Sequence, residues 1–328
     1  MSSSGNIINY SLRPAKSIER KLIADSVSGI ILNQGASEYT YIGFGSKYFV
    51  DFLYFHRHLH IDNMISIERD TYNQSVYEFN KPLSCIELKF GESSEILPRL
   101  DFSNPVFVWL DYDGPFKGSM LEDIDDLVSR CKSGSILLIS FNSKPYNIEH
   151  LKRKYATDII PGLIKKELIS NINEAAIPSD LNERGLNRWS NFSKLLHTIT
   201  NKYIKASISR KNDAEEAGNF IYDQMFYFDY KDGAEMTTIG GVIYKEESKD
   251  NVYRNGSMDM PFLRTGGESC IIEVPMLTSK ESRSLLSHMP LNMDLVNEIV
   301  DEGIFKKSVI EKYNEFYKYY PNYAEIDH

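Results

Sequence analysis

Cysteine is scarce in this 328-residue chain: Cys85, Cys131 and Cys270 stand far apart and form no C-x-x-C pair. That spacing supports neither a disulfide framework nor a zinc knuckle, and it suits a reducing compartment. Long apolar runs are missing as well. No stretch of eighteen consecutive apolar residues exists, and the start, Met1-Ser2-Ser3-Ser4-Gly5-Asn6, lacks the basic region and apolar block of a secretory signal. A cytoplasmic protein with no membrane partner is expected. Positive charge is also in deficit, 37 Lys and Arg against 46 Asp and Glu, a net of −9. This argues against a protein that coats nucleic acid with its whole surface, because such binding is driven by counterion release onto a basic face. With 42% hydrophobic and 25% charged residues, the composition is that of a globular chain and excludes disordered or collagen-like readings.

What is present is an alternation of short apolar strands and helices. Ile18, Leu22, Val27 and Ile30 recur at helical spacing within Pro14 to Ile30, with Arg13, Lys16, Arg20 and Lys21 largely on other faces, which predicts an N-terminal helix. Strands are expected near 38–42, over Asn63 to Glu68, Ser84 to Phe90, Pro105 to Asp111 and Gly134 to Phe141, with an aromatic-rich helix over about Lys47 to Leu59. Such spacing makes a parallel sheet covered on both faces. The alternation stops over 142–218, a stretch of helical patterns much longer than the usual link of about two to six residues. A hairpin follows, Asn219 to Tyr230 and Met236 to Tyr244 around Asp232-Gly233. Residues 248–275 read as irregular, Thr278-Ser279-Lys280-Glu281 as a capping box, and Ser308 to Tyr320 as a last helix ending at Pro321.

Chemistry concentrates where the expected strands end. Tyr41-Ile42-Gly43-Phe44-Gly45-Ser46 closes the first strand, and glycine there allows close approach of the backbone to a ligand, or only a tight turn. Glu68 ends the second strand about twenty residues on, where a carboxylate can accept from both hydroxyls of a ribose. The pair suggests an adenosine-containing ligand. A pyrophosphate is disfavoured, since Tyr48 stands where a dinucleotide loop needs its third glycine. Phe90-Gly91-Glu92-Ser93-Ser94-Glu95-Ile96-Leu97-Pro98 follows the third strand, and Asp111-Tyr112-Asp113-Gly114-Pro115 closes the fourth.

On these motifs the chain resembles the class I S-adenosylmethionine-dependent methyltransferases over about 36–141 and 217–246. The resemblance implies a doubly wound, Rossmann-like, mostly parallel α/β sheet with an antiparallel last strand, and S-adenosyl-L-methionine (SAM) as cofactor. It places Gly43, Phe44 and Gly45 at the amino-acid part of the cofactor, and Glu68 with Arg69 at the ribose. Gly91, Glu92 and Ser93 fall beside the adenine, and Asp111 at the methyl group. Gly91 to Pro98 is most similar to the third motif of small-molecule O-methyltransferases. Departures accompany it: Tyr41 replaces the acid two before the first glycine, Lys47 the third glycine, Gly114 a catalytic lysine, and Phe141-Asn142 the Asp-Asn pair that helps hold magnesium. No metal is assigned. Asp111 and Asp113 are the candidate catalytic residues, one a partner of cofactor or substrate and the other a base, unless Asp-Tyr-Asp-Gly is only turn chemistry.

The expected units are 1–35, an N-terminal helical segment; 36–141 plus 217–246, the cofactor-binding domain; 142–216, a basic helical insertion or cap; and 247–328, a C-terminal helical extension. Between Leu151 and Lys211 lie 12 Lys and Arg against 5 Asp and Glu. Lys165, Lys166, Arg184 and Arg188 in this cap would meet an anionic substrate, a nucleotide or nucleic acid included, unless they only form a solvated helical surface. The D/N-P-P-aromatic motif of amino-group methylases is absent. His56 and His60, at i and i+4, have metal-ligand spacing without a second pair, and Trp189 beside Arg188 reads first as packing. Val309, Tyr313, Phe316, Tyr317 and Tyr320 form an aromatic stripe, either core or the contact of a homodimer or protein partner. Methyl transfer to an oxygen or nitrogen is the expected activity. A regulatory protein that binds SAM or another adenosine ligand without turnover is the alternative.

Overall fold

The computed structural model describes residues 13–214, 219–253, 259–301 and 303–321. In chain order the elements are α1 (Pro14–Gln34), β1 (Thr40–Gly43), α2 (Val50–Leu59), β2 (Asn63–Glu68), α3 (Gln74–Asn80), β3 (Ile86–Phe90), α4 (Ser93–Ile96) and β4 (Val106–Pro115). There follow α5 (Gly118–Arg130), β5 (Ser135–Asn142), α6 (Ile148–Tyr155), α7 (Leu163–Asn171), α8 (Trp189–Ala214), β6 (Phe220–Lys231) and β7 (Glu235–Lys245). The chain closes with α9 (Lys249–Val252), β8 (Cys270–Ile272), α10 (Ser279–Ser287), α11 (Met293–Asp301) and α12 (Lys307–Phe316).

One eight-stranded sheet runs β3-β2-β1-β4-β5-β7-β6-β8. β1 pairs in parallel with β2 and β4, β2 with β3, and β4 with β5, whereas β7 lies antiparallel between β5 and β6. The strand order reverses between β1 and β4, which opens a crevice at the carboxyl ends of those two strands. β8, a short parallel partner of β6, lies in the stretch expected to be irregular; three residues are too few to show a period.

Each face of the sheet carries a core. Ile18, Leu22 and Val27 of α1 with Phe52 and Phe55 of α2 pack on Tyr41, Phe107 and Trp109. On the other face Leu121, Ile124 and Val128 of α5 with Phe192, Leu196 and Ile199 of α8 pack on Ile42, Val108 and Leu137. α8, the last third of the segment read as a cap, is thus a layer of the sheet domain. The capping box at Thr278 and Glu281 forms with both hydrogen bonds. The aromatic stripe is covered within the chain: Tyr313 joins a small core with Leu285, Val296, Ile299, Phe305 and Ile310, and Phe316 enters the α1 face of the sheet. The face that suggested a dimer contact is therefore largely occupied intramolecularly.

Candidate active site at the carboxyl ends of β1 and β4

Register brings the β1 loop to the acid of β2. Gly43 lies opposite Ser66 on one side and Trp109 on the other. The Gly45 amide then donates to Ser66 Oγ and Glu68 Oε1, both at 3.0 Å, and Ser66 Oγ donates to Glu68 Oε1 at 2.6 Å. Glu68 is 5% exposed, and burial pushes its pKa up to about 7 against the opposing effect of Ser66 and the amides of Gly45 and Ser46. The Gly91 amide donates to the Glu68 carbonyl at 3.0 Å and joins the end of β3 to the same corner. Phe44 meets the Tyr112 ring edge-on at 5.2 Å, while Ser93 and Tyr112 both donate to Asp123. Arg69, Glu92 and Asp113 are exposed around this corner.

The glycines are required by the packing of the protein itself. Gly45 has φ −75°, and a Cβ there would lie 2.5 Å from Ser66 Oγ and 2.6 Å from the Phe49 ring; at Gly43 it would lie 2.6 Å from the Tyr41 hydroxyl. Their missing side chains make room for the protein's own groups. Left-handed backbone falls instead on Ser46 and Phe49, at φ 49° and 48°, so the loop is held in a conformation that costs about 1 kcal/mol per residue or more.

Asp111 stands at the end of β4 beside an unexpected cation. Lys16, assigned from its spacing to a polar face of α1, is 2% exposed, and its Nζ is 2.9 Å from Asp111 Oδ1, 2.9 Å from Glu19 Oε2 and 3.2 Å from the Tyr230 hydroxyl. The same ammonium lies 4.0 Å from the centre of the Trp109 ring. Arg20, also 4% exposed, pairs with Asp51 of α2. Opposite charges on β4 and α2 permit the burial of these cations, which would otherwise face water. The signal was available in α1 itself. Its apolar residues leave little room for a wholly solvated face, and Lys16, Glu19 and Arg20 at i, i+3 and i+4 share one side. Lys16 thus reaches the end of β4 from 95 residues earlier in the chain.

A second polar chain runs beneath the other face. Trp189 donates from Nε1 to Ser143 Oγ at 2.8 Å, Thr237 donates to Asp229 at 2.6 Å and lies 2.7 Å from the Ser143 hydroxyl, and Ser193 donates to Asp229 at 2.6 Å. Trp189, half-buried at the start of α8, is thus hydrogen-bonded as well as packed. A cavity of about 910 Å³ opens in the segment between β5 and α8, lined by Ile160, Ile164, Lys165, Leu181, Glu183 and Arg184. Two of the four singled-out cations line it. Lys166 lies instead over the Tyr155 ring, and Arg188 is exposed. Of the histidines, His56 Nδ1 contacts the Ile61 carbonyl at 3.0 Å, His58 packs on Tyr54, and His60 is the left-handed C-cap of α2.

A doubly wound sheet with one reversed strand between β5 and β6, and with its glycine loop and acid at the strand-order reversal, defines the class I methyltransferase architecture. The chain belongs to the family described as "Putative O-methyltransferase", whose model matches residues 8–328. A comparison with curated proteins finds no match. Among solved structures it is similar to Trm1 from Pyrococcus horikoshii in complex with S-adenosyl-L-methionine, at 10% identity and a TM-score of 0.42, over 70% of this chain and 55% of that one. The chain therefore spans little more than half of Trm1. It is similar as well to the O-methyltransferase TomG from Streptomyces achromogenes, at 10% identity and a TM-score of 0.36, over 72% of this chain and 91% of that one. The O-methyltransferase from Bacillus cereus matches at 10% identity and a TM-score of 0.34, over 66% and 80%. Among the described residues no helix is long and apolar enough to cross a membrane.

Proposed function

We propose that the protein transfers a methyl group from SAM to an oxygen or nitrogen of an anionic substrate. The observation that carries this reading is the junction of Gly45 with Glu68 at the strand-order reversal, in a chain of an O-methyltransferase family. The donor set suits the cofactor. Glu68 offers a carboxylate to the ribose hydroxyls at the end of β2, Phe44 and Tyr112 provide aromatic surface beside it, and Glu19 and Asp111 supply negative charge at the end of β4. When bound, SAM supplies a methyl group on a cationic sulfonium. The chain's own work is to align the acceptor with it and take up the acceptor's proton. Asp113, exposed two residues beyond Asp111, is the residue we assign to proton removal; Asp111, fixed by Lys16, is the one we assign to orientation. Lys165 and Arg184, on the wall of the large cavity, are the groups that would receive the substrate's negative charge.

Calorimetry with SAM, followed by incubation with SAM and cell extract and assay for S-adenosylhomocysteine (SAH), tests this reading. Binding with turnover is expected. Binding without turnover across varied extracts would favour the regulatory alternative, and no binding would remove the reading.

A further inference from the structure

We propose that Glu19 and Asp111 share one proton in the free protein, and that this proton leaves when the cationic sulfonium of the cofactor settles at the end of β4. The inference rests on the function proposed above. It makes α1 the element that distinguishes SAM from the neutral SAH.

Two carboxylates here compete for one ammonium. Lys16 Nζ is 2.9 Å from an oxygen of each, and the side chains of Lys16, Glu19 and Asp111 are 2%, 0% and 15% exposed. Among the described residues neither acid has a second cation in contact, because Arg20 is engaged by Asp51. Both carboxylate oxygens of Glu19 are buried without a well-directed hydrogen bond. Of the other groups around the cluster, Tyr230 and Tyr41 are neutral phenols, Thr238 of β7 is a hydroxyl, Asp113 is a further acid, and the charge of Asp232 is offset by Arg13.

With every group ionised, Lys16 and Arg20 face Glu19, Asp51 and Asp111, which leaves one uncompensated negative charge in a low-dielectric site. One proton shared between the two acids removes it. Electrostatic directions agree: burial raises the pKa of Glu19 and of Asp111, with Lys16 opposing, while the two acids raise Lys16 against its own desolvation. An arriving sulfonium brings the missing positive charge. The carboxyl O–H bond then breaks, its electrons remain on the carboxylate, and the proton passes to buffer.

The test is titration calorimetry of the full chain with SAM and with SAH at pH 7.5, in phosphate and in Tris, whose ionisation heats differ. The two ligands share ribose, adenine and amino acid, so protons linked to Glu68 or to the α-ammonium cancel in the difference. SAM is expected to release about one proton more than SAH, and the SAM-to-SAH affinity ratio to rise with pH by up to about tenfold per unit while the shared proton is still bound. Glu19→Gln, checked for folding by thermal melting, is expected to abolish both differences. Equal proton release by the two ligands in the unaltered protein, or a difference that persists in folded Glu19→Gln, would overturn the proposal. Failure of both ligands to bind would overturn the cofactor reading and this inference with it.

Discussion

Gly45 and Glu68 show how closely binding residues can be tied to the stability of the protein itself. A methyl group on residue 45 would overlap Ser66 Oγ and the Phe49 ring, both part of the packed corner, so Gly45→Ala should cost about 1 to 3 kcal/mol. Gly114→Ala is the control, since nothing lies within 4 Å of its Cβ position. Denaturant titration of the two should separate them, and equal stability would mean that the β1 loop relaxes freely. Glu68 yields a pH dependence. Its folded pKa of about 7 lies above the ordinary 4.5, so the folded state holds the proton more tightly. Its contribution is complete below about pH 4.5 and is lost as pH rises through 7, a difference of about 3 kcal/mol. Glu68→Gln does not titrate. It should therefore gain stability on the unaltered protein between pH 5 and pH 8, and parallel melting curves across that range would contradict the buried-acid account. The sequence marked both residues, but the reason for the glycines was hidden, because Ser66 and Phe49 reach position 45 only through strand register and a left-handed turn.

At the scale of elements, α1 is the part least legible in advance. Its own N-cap residue, Arg13, makes no side-chain cap hydrogen bond; instead Asp232, in the turn between β6 and β7, accepts from the amides of Ala15 at 3.3 Å and Lys16 at 2.8 Å. A cap from 216 residues away leaves no local motif. The same distance hides the Lys16–Asp111 and Arg20–Asp51 pairs, whereas β1 to β5 were legible because each is a short apolar run beside a turn. Asp232→Ala should destabilise by about 1 kcal/mol, the usual value of an N-cap. Asp232→Asn keeps an acceptor oxygen but loses the charge that favours the helix start, so it should fall between the two. Equilibrium unfolding of the three proteins tests the order. If Asp232→Ala matches the unaltered protein, the trans cap contributes nothing and α1 is held by packing and its buried ion pairs alone.

At the scale of the whole molecule the C-terminal helices behave as a brace rather than an appendage. Ile310 and Tyr313 close a small core with Leu285, Val296, Ile299 and Phe305, while Phe316 inserts into the main core on the α1 face. Lys21 Nζ of α1 donates to the Tyr319 carbonyl at 2.9 Å, and Tyr320 donates from its hydroxyl to the Pro275 carbonyl at 2.5 Å. The element that carries Lys16 and Glu19 is thereby tied at its exposed side to the chain end. Burial of three large side chains at roughly 1.5 to 3 kcal/mol each is comparable to the whole stability margin of a typical domain, about 5 to 15 kcal/mol. Truncation after Gly303 should therefore yield an unfolded or aggregated product, measured by light scattering and loss of a cooperative melt. Phe316→Ala, which removes one side chain from the main core, should remain folded with a loss of about 3 to 5 kcal/mol. A truncated protein that stays folded with an unchanged melting temperature would show that the stripe supports neither core, and would return it to the role of a contact between subunits.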